Sequence, residues 1–140
     1  MSGRASDRKI NSHNIPKMKG GVEKSAFFKA RLGVKLRIGS VNVGSMTRRS
    51  GEVADMAARR RLNFCCLQET KWKGGQSRWL GNEGARYKFY WMGGEVGGAV
   101  VAGVGIMVAE RWVDNVIEVR RVSGRLLILR VTIGSVGAKV

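Results

Sequence analysis

Two strand-length apolar runs on either side of one short amphipathic stretch constrain this chain most. Leu36-Arg37-Ile38-Gly39-Ser40-Val41-Asn42-Val43 reads as a β run ending in a polar group, and Gly44-Ser45-Met46-Thr47 reads as the turn after it. Ser50 is placed to cap a helix with Glu52 in its first turn, and Val53, Met56 and Ala57 share one face. Arg59-Arg60-Arg61 close that helix, where cations complement the dipole. The next segment, Asn63–Glu69, has an unbroken apolar centre, the pattern of a strand covered on both faces. Strand, helix and strand in this order predict a right-handed crossover joining two parallel strands. Parallel strands finish on the same edge of a sheet, so Asn42 and Glu69 are expected on one rim. In open α/β sheets that rim is where sites are built.

After Glu69 the pattern turns antiparallel. Tyr87–Met92 is an aromatic strand, Val104–Ala109 is apolar, and Val116–Val122 and Arg125–Ile133 are two strands with a hairpin expected at Ser123-Gly124. The glycine-rich stretch Gly93–Gly105 lacks a G-x-x-x-x-G-K-[ST] loop and the third glycine of a dinucleotide fingerprint, so a flexible hairpin loop is expected there.

Charge narrows the choice of partner. The chain has 140 residues and a formal net charge of +16, with 44% apolar residues. A chain so charged attracts polyanions, nucleic acid first and an anionic membrane surface second. No stretch approaches the ~20 apolar residues of a membrane span, and the start lacks an apolar signal core. Residues 1–34 hold eight Lys/Arg and two acids and read as a basic, disordered tail, with a short helix expected near Val22–Leu32. Residues 35–140 are the expected folded part. Cys65 and Cys66 are adjacent, poorly placed to bridge each other, and read as reduced thiols. His13, the only histidine, falls in the tail, where it reads as a solvated side chain.

The candidate site residues each have an ordinary structural role to set beside a chemical one. Glu69 is a potential Mg²⁺ ligand, or a strand-end acid paired with a nearby Lys. Asn42 can orient a phosphate oxygen, or bond its own turn. Lys71-Trp72-Lys73, with Arg78-Trp79 soon after, interleaves cations and aromatics as nucleic-acid surfaces do, though the Trp residues can equally cover the core. Arg59-Arg60-Arg61 can touch phosphate or close a solvated helix end.

The run Leu36–Met46, then Cys65-Cys66-Leu67-Gln68-Glu69-Thr70-Lys71-Trp72-Lys73-Gly74, resembles the start of the endonuclease/exonuclease/phosphatase domain. Within that family it is similar to the endonucleases of non-LTR retrotransposons and to the craniofacial development protein 2-like proteins derived from them. Tyr87–Tyr90, Gly103–Ile106 and Arg121–Leu126 continue the match in order. The resemblance implies an α/β fold, the N-terminal portion of a four-layer, deoxyribonuclease-like α/β sandwich with a mixed sheet. It implies Mg²⁺-dependent hydrolysis of DNA phosphodiesters, with Asn42 and Glu69 as catalytic residues, Glu69 as the metal ligand, and Lys71, Trp72 and Lys73 on the nucleic acid. DNA is the implied partner, the nucleus the implied location, and neither a membrane nor a small-molecule cofactor is expected. Val41 and Ala102 depart from the family pattern. The family's later Tyr-Ala-Pro, Asp-x-Asn and Asp-His motifs do not occur in this sequence. Residues 35–140 are therefore expected to be a truncated domain without nuclease activity of its own. The alternative is a non-catalytic basic fragment that binds nucleic acid or another protein.

Overall fold

The computed structural model describes residues 35–133 and the backbone of residues 23–29. Among the described residues eight strands and one α-helix follow in order: β1 (Glu23–Lys29), β2 (Lys35–Asn42), α1 (Ser50–Arg59), β3 (Phe64–Gln68), β4 (Gly75–Leu80), β5 (Tyr87–Val96), β6 (Ala99–Ala109), β7 (Val116–Ser123) and β8 (Leu126–Val131). A 3₁₀ segment, Glu110–Asn115, joins β6 to β7. The main mixed sheet runs β1-β2-β3-β6-β5-β4, and β7-β8 forms a separate ribbon.

The predicted crossover is present. β2 and β3 are parallel, with Ile38 opposite Phe64 and Asn42 opposite Gln68. The pattern of α1 explains its place over them: Val53, Ala54, Met56 and Ala57 are all buried, and each apolar side chain of Val or Met size contributes roughly 1.5–3 kcal/mol on burial. They meet Val41, Cys65, Leu67, Phe89 and Met107 from the sheet. On the opposite face Leu36, Phe64 and Val108 are covered by Trp112, Val113, Val116, Leu129 and Val131 of the 3₁₀ segment and the ribbon. The described residues thus stack in three layers: helix, mixed sheet, ribbon. β3, between β2 and β6, contributes to both interfaces, as its continuous apolar centre predicts.

Several expectations change. Ser50 is the first helical residue; the N-cap is Arg49, and no side chain caps the helix. The helix expected near Val22–Leu32 is, over Glu23–Lys29, a strand antiparallel to β2, with Ala26 opposite Ile38. Pairing there satisfies the outer hydrogen-bonding edge of β2, which helix formation would leave open. The remainder of the tail, including His13, lies outside the described residues. β4, for which the sequence suggested no strand, pairs with β5 over Gly75–Leu80. The last hairpin turns at Gly124-Arg125, one residue later than expected, because Ser123 pairs with Leu126.

The largest correction concerns Gly93–Gly105, which is mostly strand. β5 and β6 run to Val96 and from Ala99, joined at Gly97-Gly98 with φ of 59° and 84°, values a type I′ hairpin requires. The other glycines answer to close packing. A Cβ on Gly105 would lie 2.3 Å from the Phe89 ring, and one on Gly124 would lie 2.3 Å from the Gly94 Cα. Because Phe89 is fully buried, its ring has nowhere to retreat. Gly105→Ala should therefore lower stability by about 1–3 kcal/mol, read as a lower urea midpoint at unchanged slope. An unchanged midpoint would show that the packing there is slack.

Candidate functional site

The two parallel strands end where the sequence predicts. The register partner of Asn42 is Gln68, so Glu69 is the next residue along the same rim. The Val43 N–H donates to the Gln68 carbonyl at 3.0 Å and the Met46 N–H to the Thr70 carbonyl at 2.9 Å, carrying the pairing beyond the strands. The loop before α1 is thereby fastened to the segment that bears the acid. Arg49 draws that loop in further by donating from Nη1 to the Val43 carbonyl at 2.8 Å.

Glu69 is neither buried in hydrocarbon nor carried to another border: its side chain is 37% exposed. Its nearest charged partner is Lys71, whose Nζ lies 3.8 Å from Oε1, a loose and partly solvated pair. Asn42 accepts from the Gly44 N–H at 3.0 Å through Oδ1, which stabilises its own turn and leaves the amide NH₂ as the group available to an anion. Both residues thus take their ordinary structural roles while standing on the predicted rim. Alternation along β2 and β3 puts two more polar side chains beside Asn42 on the ribbon-facing side. Gln68 Nε2 donates to Ser40 Oγ at 3.0 Å. The period-2 pattern of Ser40, Asn42, Cys66 and Gln68 was the available signal for this pair, and the apolar run through Phe64–Leu67 obscured it.

The backbone at this rim is strained. Glu69 and Lys71 have φ of 59° and 57°, and Ala102 opposite them has 57°. Arg48, in the loop before α1, has 62°. Among the described residues, four of the five non-glycine residues with positive φ therefore lie in the segments at this end of the strands. Each left-handed non-glycine residue costs roughly 1–2 kcal/mol. The conformation is held by Thr70 and Lys71, whose N–H groups donate to the Gly103 and Ala102 carbonyls at 3.1 and 2.8 Å. Between the two kinks Thr70 is fully buried and its Oγ1 has no hydrogen-bond partner. Strained backbone of this kind clusters at functional sites.

Lys71, Trp72 and Lys73 separate in the structure. Lys71 and Lys73 are exposed, and Lys73 Nζ stands 4.0 Å from Glu95. Trp72 turns inward, edge-on to Phe89 and Trp91 at centroid distances of 5.6 and 5.0 Å, with Arg78 over its ring at 4.8 Å. Its ring covers the core. Trp79 likewise sits under Arg86 at 4.0 Å. Neither thiol is in a disulfide: Cys65 is buried, and burial raises the pKa of Cys66.

A metal has few ligands to choose from. Among the described residues no three His, Cys, Asp or Glu side chains cluster. One exposed carboxylate with an amide nearby fits a Mg²⁺ ion that arrives with a phosphate and keeps several waters, not one enclosed by protein ligands. No described helix is long and apolar enough to cross a membrane. Compared with protein-family models, curated proteins and solved structures, the chain matches none.

The strain at Glu69 is directly testable. Glycine adopts φ near 60° without steric cost but loses more entropy on folding. Glu69→Gly should leave stability unchanged or raise it by up to about 1 kcal/mol, measured by urea unfolding. A loss of more than about 1 kcal/mol would mean that the carboxylate contributes to stability in its own right.

Proposed function

We propose that this rim is one half of a Mg²⁺-dependent site acting on DNA phosphodiesters, in a chain related to the retrotransposon-type endonucleases that its sequence resembles. The observation that carries the reading is the gathering of strained backbone around Glu69, beside Asn42, at the carboxyl ends of two parallel strands. A fold that holds an acid in a costly conformation at such a place is characteristic of sites. The three described layers are compatible with part of a four-layer, deoxyribonuclease-like sandwich, which belongs to the same proposal.

The chemistry assigned to each residue is modest. Asn42 directs its amide hydrogens at a phosphate oxygen. Glu69 supplies one ligand to a metal ion that, when bound, neutralises phosphate charge and stabilises the leaving oxygen. Lys71 and Lys73, exposed on the same rim, attract the anionic backbone, and the uncapped amino end of α1 adds its positive dipole. No described residue is placed to activate water, so the described half binds the scissile group and turnover calls for groups it does not contain. Nuclear residence follows from the DNA reading.

Binding and cleavage separate the outcomes. With Mg²⁺, wild-type protein should hold duplex DNA several-fold more tightly than in EDTA, and Glu69→Gln should abolish that difference while leaving metal-free binding intact. Supercoiled plasmid should remain un-nicked. An equal response to Mg²⁺ in wild type and Glu69→Gln would remove the metal site and leave a non-catalytic basic binder. Nicking that disappears in Glu69→Gln would instead show a complete site.

A further inference from the structure

A second group of cations stands at the opposite end of the strands. α1 ends at Arg59; Arg60 is its C-cap and Arg61 follows with φ of 55°. The turn after the helix is laced to the start of β2. The Arg37 N–H donates to Asn63 Oδ1 at 2.8 Å, and the Asn63 N–H donates to the Arg37 carbonyl at 2.7 Å. This lacing brings the end of the helix over Arg37. Burial lowers the pKa of Arg37, and the positive charges of Arg61 and Arg60 lower it further, as expected where guanidinium groups crowd. Lys35 lies two residues earlier on the same face of β2, and the register sets Lys29 of β1 opposite Lys35.

Ordinary structural roles account for only part of this. One or two cations complement the carbonyl end of a helix, at about 0.3–1 kcal/mol each. Lys35, Arg59, Arg60 and Arg61 form no ion pair with any described residue. Arg61 takes a backbone conformation that Asn or Gly would adopt with less strain. Like charges gathered in this way repel one another, and a polyanion would neutralise them.

We propose that Lys35, Arg37, Arg59, Arg60 and Arg61 form a second docking surface, for the phosphodiester backbone of duplex nucleic acid, separate from the rim of Asn42 and Glu69. Two features favour a duplex. Among the described side chains of β2, α1 and its terminal turn there is no aromatic ring on which an unpaired base would stack. Among the described residues the exposed large apolar side chains, Val96, Val101, Ile117, Val122, Leu126 and Ile133, belong to neither α1, its terminal turn nor β2, so the described side chains of this surface offer charge and not hydrocarbon. Contacts made by charge alone position a duplex without reading its sequence. The surface does not depend on the role given to Glu69.

The test is the salt dependence of duplex binding by the full chain, followed by fluorescence anisotropy between about 50 and 200 mM salt. The variant Arg59→Gln/Arg60→Gln/Arg61→Asn keeps helix-forming side chains and places at position 61 a residue that tolerates positive φ. It should bind roughly tenfold or more weakly, and its log–log salt slope should be shallower by roughly 2–3, about 0.9 for each phosphate no longer neutralised. Unchanged affinity and slope would overturn the proposal. So would loss of binding confined to anionic phosphatidylserine vesicles or to polyglutamate, with duplex binding intact. If the triple variant fails to fold, Arg61→Asn alone decides: a slope shallower by about 0.9 supports the surface, and an unchanged slope overturns it.

Discussion

The hydrogen bonds that prolong the β2–β3 pairing past the ends of the strands govern the rest of the molecule. Val43 N–H to the Gln68 carbonyl and Met46 N–H to the Thr70 carbonyl fix the register of two loops whose Val43, Met46 and Trp72 side chains also join one apolar core. The register fixes Asn42 beside Gln68, and so fixes where Glu69 begins. It also sets the start of α1, because the loop from Gly44 to Arg49 must leave this rim and turn back over the sheet. The buried face of the helix then supplies the apolar contact that makes the crossover stable. Polar bonds choose the geometry, and hydrocarbon burial supplies most of the driving force.

The distribution of cost across the fold is uneven. The core is well matched, with Phe89, Met46, Met56, Leu67 and Met107 fully buried. The rim carries four left-handed non-glycine residues and a buried hydroxyl without a partner. At roughly 1–2 kcal/mol for each such residue, this is a sizeable share of the 5–15 kcal/mol that stabilises a typical domain. The well-packed helix face therefore sustains a rim that would not form by itself. The opposite edge adds an electrostatic cost to the conformational one at Arg61.

The central β-α-β unit was legible because its signals are local: apolar runs of the right length, a helical period and a basic helix end. The common rim of Asn42 and Glu69 followed from topology alone. Strand β4 was not legible, since Gln76, Ser77 and Arg78 are too polar to suggest a strand; its pairing with β5 is a tertiary effect. Gly93–Gly105 misled for a related reason. Glycine reads as flexibility in sequence, whereas Gly105 and Gly124 are required by atoms that arrive from elsewhere, the Phe89 ring and the Gly94 backbone. The inward turn of Trp72 was one of two evenly matched possibilities until Phe89 and Trp91 were seen beneath it. The kinks at Glu69 and Lys71 had no sequence signature, since neither residue type favours positive φ.

Gly103 links two parts of the chain that are distant in sequence. Its N–H donates to the Gly124 carbonyl at 3.1 Å in the turn of the ribbon, while its own carbonyl receives the Thr70 N–H. A single residue thus separates the tip of the β7–β8 ribbon from the backbone beside the acid. The ribbon is a gauge block as well as a cover: lengthening or shortening its turn by one residue would move the seat of the Glu69 carboxylate, although no side chain of the ribbon need approach it.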